Sequence, residues 1–126
     1  MLLNHAGVVN KSREEALRFY RDFLGFAVIK ESVISKELSG QLFSVDRDVT
    51  MLAFGKNGVK IEVFICPECG LPSPDLRHIG LLLENFAEVM EKARPAGVGV
   101  ITGKTKDKTV YFIRDFSGNL IEIKQL

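Results

Sequence analysis

The chain has 126 residues, the length of one domain, and its 46% hydrophobic and 26% charged residues match an average soluble globular domain. At this size roughly two-thirds of the unfolded surface is buried on folding, enough for a real core. The 17 basic and 16 acidic residues leave a net charge of +1, which argues against a nucleic-acid or membrane binder driven by long-range charge. No apolar run approaches the ~20 residues of a membrane span. Met1-Leu2-Leu3-Asn4-His5 lacks a basic segment followed by a long apolar one, so it does not read as a signal peptide, and the chain is expected to be cytoplasmic.

In chain order, Leu2–Val9 reads as a strand. Ser12-x-x-Glu15 is a capping box, and Ala16, Leu17, Tyr20, Phe23 and Leu24 follow at helical spacing, so a helix is expected over Arg13–Leu24, stopped by Gly25. Strands follow at Phe26–Ile34, Val49–Phe54 and Val59–Ile65. Ser35–Phe43 adds a helical turn or two between the first two of these, and Lys56-Asn57-Gly58 turns the last pair into an antiparallel hairpin. Cys66-Pro67-Glu68-Cys69 comes next. Two cysteines are too few for a disulfide-stapled secreted fold, and no second CxxC completes a structural zinc site. Gly70, Pro72 and Pro74 suit a loop, not the helix that a redox CxxC normally opens. The pair therefore reads as two thiols at a strand end and loop, with a redox or metal role as the alternative.

The second half repeats the first. His78-Ile79-Gly80-Leu81-Leu82 echoes His5-Ala6-Gly7-Val8-Val9, in a strand over Arg77–Leu83. Asn85-x-x-Glu88 opens a helix over Phe86–Ala93, which Pro95 and Gly97 end. Strands at Val98–Ile101, Thr109–Arg114 and Asn119–Lys124 complete the order β-α-β-β-β for the second time, with Ser117-Gly118-Asn119 as the last turn. From His5 to Glu62 is 57 positions and from His78 to Glu122 is 44, so the first copy is longer by 13, mostly within Ser35–Asp48.

The protein has only two histidines, His5 and His78, each in the opening strand of a repeat. Each closing strand carries one carboxylate between apolar residues, in Ile61-Glu62-Val63 and Ile121-Glu122-Ile123. That alternation reads as inverted relative to a strand with its apolar face on a core, as in a sheet curved round a cavity with Glu62 and Glu122 pointing inward. An inward carboxylate is costly to bury as an ion. Two imidazoles and two carboxylates drawn together would be stabilised by a divalent cation. Such a mixed nitrogen–oxygen set suits Zn, Ni, Co, Fe or Mn better than Mg or Ca. The competing reading, in which each histidine is an ordinary polar strand residue and each glutamate faces water, leaves their repeated placement unexplained.

These residues, with Ala16-Leu17-Arg18-Phe19-Tyr20-Arg21-Asp22-Phe23-Leu24-Gly25-Phe26, His78-Ile79-Gly80-Leu81-Leu82-Leu83-Glu84-Asn85 and Phe112-Ile113-Arg114-Asp115-Phe116-Ser117-Gly118-Asn119-Leu120-Ile121-Glu122-Ile123, give the chain its resemblance to the vicinal oxygen chelate superfamily. That group includes glyoxalase I, methylmalonyl-CoA epimerase, fosfomycin-resistance proteins, extradiol dioxygenases and bleomycin-binding proteins. The resemblance implies an α+β fold: two tandem βαβββ modules, about 1–65 and 77–126 of a single domain 1–126, forming cupped mixed sheets around a metal cleft. It implies that His5, Glu62, His78 and Glu122 are the metal ligands. Glu at position 62 tilts toward glyoxalase I, and the full ligand set tilts away from bleomycin-type binding.

The activity so implied is that of a lyase or isomerase, shifting a proton between vicinal carbons of a hemithioacetal through a metal-stabilised enediolate. Glu122 is the expected catalytic base and Glu62 the second candidate. Glutathione or another thiol is the implied co-substrate, and a homodimer acting on a small molecule, with no nucleic-acid or membrane partner, is the implied assembly. An acyl-CoA epimerase, a fosfomycin-type transferase and a non-catalytic binding protein are the alternatives. Ala6, Asn10 and Arg77 depart from the usual pattern near the ligands. Lys104, Lys106 and Lys108 read as a solvated loop, with anion binding as the alternative.

Overall fold

The computed structural model describes all residues, 1–126. The chain forms two compact units, Met1–Gly70 and Leu71–Leu126, and each holds one β-α-β-β-β module. No helix is long and apolar enough to cross a membrane.

In the first unit, β1 (Ala6–Asn10) leads into α1 (Arg13–Ala16), which continues as a π-helical stretch (Leu17–Phe23). Ser12 caps the start, its Oγ accepting from the Glu15 N–H at 3.1 Å. The single α-helix expected over Arg13–Leu24 is thus wider in its second part, with the Leu24 N–H reaching back to the Phe19 carbonyl at 2.9 Å. The wider turn carries Phe19 and Tyr20, both fully buried, and Tyr20 packs on Phe54 with ring centroids 5.3 Å apart. Gly25 stops the helix at φ +74°, a conformation that L side chains resist, and Lys56 Nζ donates to the Leu24 carbonyl at 2.7 Å.

β2 (Ala27–Ile34), α2 (Lys36–Phe43), β3 (Val49–Lys56) and β4 (Val59–Ile65) complete the unit. The expected extra turns over Ser35–Phe43 are α2, capped by Ser35 Oγ on the Leu38 N–H. The sheet order is β1-β4-β3-β2. Asn57 and Gly58, both at positive φ, make the two-residue β3–β4 turn that matches strand twist. β1 pairs with β4 in parallel, Gly7 beside Glu62.

The second unit repeats this with β5 (His78–Leu83), α3 (Phe86–Ala93), β6 (Gly99–Lys104), β7 (Thr109–Arg114) and β8 (Leu120–Gln125), in the order β5-β8-β7-β6. β5 pairs with β8 in parallel, Gly80 beside Glu122. Asn85 starts α3 without bonding a backbone N–H; its amide instead donates to Glu88, so the second capping signal acts between side chains. Lys104, Lys106 and Lys108 lie exposed at the β6–β7 hairpin, whose turn is closed by Thr105 bonding Lys108.

Two expectations are corrected. The opening strand begins at Ala6, not Leu2, so His5 stands just before β1 while His78 is the first residue of β5. The ladder with β4 starts at Ala6, opposite Ile61, and does not extend to the residues before it. The alternation around the glutamates is also not inverted. Ile61, Val63, Ile121 and Ile123 are fully buried in the helix-side cores, while Glu62 and Glu122 occupy the opposite face of each sheet, as strict period-two alternation requires.

Candidate metal-ligand pairs

Within each unit the parallel pairing of first and last strands sets a histidine beside a glutamate. His5 Nε2 lies 3.3 Å from Glu62 Oε2, and His78 Nε2 lies 3.8 Å from Glu122 Oε2. Both glutamates are largely shielded, 15% and 19% exposed, while the histidines are about 40% open. The four residues thus meet as two pairs, and neither unit brings three or more such side chains together on its own.

The opposite ring nitrogen is engaged in both histidines. His5 Nδ1 is 2.8 Å from Asn4 Oδ1, and His78 Nδ1 is 2.9 Å from the Leu76 carbonyl oxygen. A carbonyl oxygen only accepts, so Nδ1 carries the proton and, in the neutral ring, Nε2 keeps its lone pair. A lone pair facing a carboxylate is repulsive until a proton or a cation stands between them. This is the arrangement of a metal-ligating histidine, whose second nitrogen is held by an acceptor that sets tautomer and orientation.

The spacings fit an ion. Metal–nitrogen and metal–oxygen bonds of about 2.0–2.2 Å put two ligand atoms about 2.9 Å apart at a right angle and about 3.4 Å apart at the tetrahedral angle. The first pair falls inside that range, and the second reaches it with a few tenths of an ångström of side-chain adjustment. Two imidazoles and two carboxylates are a donor set of borderline hardness, suited to first-row divalent metals.

Each glutamate's second oxygen is held by a lysine two residues away on the same strand face. Lys60 Nζ is 3.1 Å from Glu62 Oε1, and Lys124 Nζ is 3.1 Å from Glu122 Oε1. The lysines occupy one oxygen and leave the other toward the histidine. The sequence held a signal for them, since Lys60-x-Glu62 and Glu122-x-Lys124 share a face by period two. Gly80 sits beside Glu122: a Cβ there would stand 4.0 Å from Glu122 Oε2, in ordinary contact.

Local chemistry orients the strands that carry these residues. Asp115, buried at 4% exposure, accepts the Ser117 and Asn119 N–H groups on Oδ1 and the Asn119 side-chain amide on Oδ2, with Gly118 at φ +94°. The Asp115–Asn119 motif is thus the turn that launches β8 and sets Glu122 in register. Arg77, a departure from the family pattern, bonds Asp75 through Nε and NH2 at 2.9 and 3.1 Å and braces the segment before His78. The Arg77 side chain holds the Asp75 carboxyl below the usual carboxylate range. The ring of His78 also packs edge-on against Phe112, centroids 5.2 Å apart.

Cys66 and Cys69 are joined as a disulfide, not the two free thiols the sequence suggested. Their separation of three residues in a turn, with the Cys69 N–H on the Cys66 carbonyl at 3.2 Å, brings the sulfurs together. Arg47 bonds both Glu68 and the Ile65 carbonyl, tying the CxxC loop to the end of β4.

No curated protein matches the chain. Among solved structures, a glyoxalase family protein from Enterococcus faecalis superposes with a TM-score of 0.74 at 20% identity, over 97% of this chain and 95% of that one. The trypanothione-dependent glyoxalase I of Leishmania major gives 0.71 at 17% identity, over 99% and 86%. A mutant of the fosfomycin resistance protein FosX from Listeria monocytogenes, complexed with Mn(II) and 1S,2S-dihydroxypropylphosphonic acid, gives 0.68 at 16% identity, over 96% and 89%. At these identities the likeness is one of fold. The profile of the Glyoxalase/Bleomycin resistance protein/Dioxygenase superfamily matches residues 2–123, nearly the whole chain, and the protein belongs to that superfamily.

Proposed function

We propose that the protein is a metal-dependent lyase or isomerase of the glyoxalase I type, acting on a small molecule with two vicinal oxygens. The observation that carries this reading is the duplicated pair: twice, an imidazole Nε2 whose Nδ1 is held by an acceptor faces a shielded carboxylate oxygen, at 3.3 Å and at 3.8 Å. On this reading His5, Glu62, His78 and Glu122 hold one divalent transition metal, and the FosX mutant of similar fold is complexed with Mn(II). A metal there supplies Lewis acidity toward the two substrate oxygens. Glu122 takes the carbon-bound proton and returns it to the neighbouring carbon, with Glu62 as the second candidate. Lys124 and Lys60 hold the far carboxylate oxygens, which leaves Oε2 of each glutamate toward its histidine.

We infer a homodimer, with His5 and Glu62 of one protomer beside the partner's His78 and the partner's Glu122. Sedimentation of the metal-loaded protein tests this, and a monomer with the ion bound would place all four ligands in one chain.

Elemental analysis of the purified protein, followed by assay with methylglyoxal plus glutathione or another thiol, tests the activity. About one transition-metal ion per ligand set and metal-dependent turnover are expected. A metal-free protein that binds none of Zn, Ni, Co, Fe or Mn would leave only the non-catalytic binding reading. Turnover of an acyl-CoA epimer or of fosfomycin in place of the hemithioacetal would move the protein to another branch of the superfamily.

A further inference from the structure

The first unit contains a cavity of about 370 Å³ on the sheet face that carries Glu62. Val9 and Phe64 form its floor, and Phe43 and Val45, at the end of α2, form one wall. Gly7, the ladder partner of Glu62, marks the end beside the His5–Glu62 pair, and the Cys66–Cys69 disulfide is also part of the lining. Every lining side chain is apolar or a disulfide sulfur, with no charge and no strong hydrogen-bonding group. The volume lies in the range of small-molecule sites, about 300–1,000 Å³.

The walls are held in place. Phe43 packs edge-on against Phe64, centroids 5.5 Å apart, and Arg47 links the segment after α2 to the CxxC loop through Glu68 and Ile65. Residues from the extra segment of the first module, Phe43 and Val45, build this wall, whereas in the second module β6 and β7 are joined by a short hairpin turn. The cavity is therefore a product of the segment that distinguishes the two halves.

The geometry points to a binding subsite for the apolar, non-reacting chain of the substrate, aliphatic or aromatic, whose vicinal oxygens are held at the His5–Glu62 end. This rests on the metal-dependent reading above, and the experiment separates the two. Straight-chain 2-hydroxycarboxylates, from glycolate to 2-hydroxyoctanoate, carry two vicinal oxygens and a tail of adjustable length. Their dissociation constants are measured by calorimetry with the Mn(II)-loaded and the metal-free protein.

Affinity rises about fourfold per added methylene until the cavity is full, the ratio expected for burying that group. Val45→Trp fills the cavity, so the dependence on chain length disappears while glycolate binds as before. Where Val45→Trp does not fold, Phe43→Ala, at a half-exposed position, lengthens the tail at which affinity levels off. Metal dependence with no effect of chain length overturns the subsite and leaves the metal reading intact. A chain-length effect without metal dependence does the reverse. A flat series joined to loss of the dimer in Val45→Trp assigns the cavity to subunit contact and overturns the proposal, as does an unchanged series in either variant.

Discussion

Replacing Glu122 by Gln keeps the size of the side chain and removes its charge. The amide orients itself: Lys124 Nζ, 3.1 Å from Oε1, can only donate, so the amide oxygen turns toward it. The NH2 group then faces His78 Nε2, 3.8 Å from the present Oε2, and offers a proton to the lone pair that the proposed metal would use. A ligand is lost and a donor takes its place. Structural zinc sites bind with apparent energies of about 10–16 kcal/mol, or about 2.5–4 kcal/mol per ligand of four, so losing one weakens metal binding by about 10²–10³-fold. At saturating metal, loss of the base lowers kcat by a further factor of about 10²–10⁴. The fold survives, because Glu122 lies opposite the core face that Ile121 and Ile123 fill. Competitive titration of metal-free protein with Zn(II) or Mn(II) reads the first effect, turnover at saturating metal the second, and circular dichroism the fold. Glu62→Gln should match it in metal affinity and lose less kcat. Wild-type metal affinity in both variants would refute the assignment of these carboxylates as ligands.

Four further outcomes are expected. Lys60→Met or Lys124→Met frees one carboxylate oxygen and weakens metal binding by about 10–100-fold, the usual cost of losing an outer support, as the same titration would show. Gly80→Val folds, since Gly80 is an ordinary strand position without positive φ, but it crowds Glu122 Oε2 and lowers metal affinity without changing secondary structure. Ser12→Ala removes the cap of α1 and lowers stability by about 1 kcal/mol in urea titrations, with metal binding unchanged. Arg13 bonds Glu31 through two contacts and holds the Glu31 carboxyl below the usual range, so Glu31→Gln lowers the melting temperature slightly at neutral pH. A depressed folded-state pKa gives a contribution that is full above the ordinary glutamate value and is lost as pH falls through the lower folded one. The difference between parent and variant should therefore vanish in strong acid.

The order of elements was legible in the chain because its signals are local. Val59–Ile65, Thr109–Arg114 and Phe86–Ala93 have the bounds their periodicity suggested, and Asn57-Gly58 forms the turn its residues prefer. The duplication, the two histidines and the two glutamates were legible as well, since repetition needs no coordinates. Less visible were features that depend on neighbours. The widening of the helix at Leu17–Phe23 accompanies the burial of Phe19 and Tyr20, which helical spacing alone does not reveal. The pairing of Cys66 with Cys69 depends on a turn that folds back on itself.

The amino-acid sequence by itself determined that two imidazoles and two carboxylates stand in matched positions of a doubled pattern. Only tertiary structure decided that they meet as His5 with Glu62 and His78 with Glu122, because the parallel pairing of first and last strands joins residues 57 and 44 positions apart. It also decided which nitrogen of each ring is free, through acceptors at Asn4 and Leu76, and which carboxylate oxygen is held, through Lys60 and Lys124. A side chain's type is written in the chain, but the direction of its lone pairs is set by the groups that surround it.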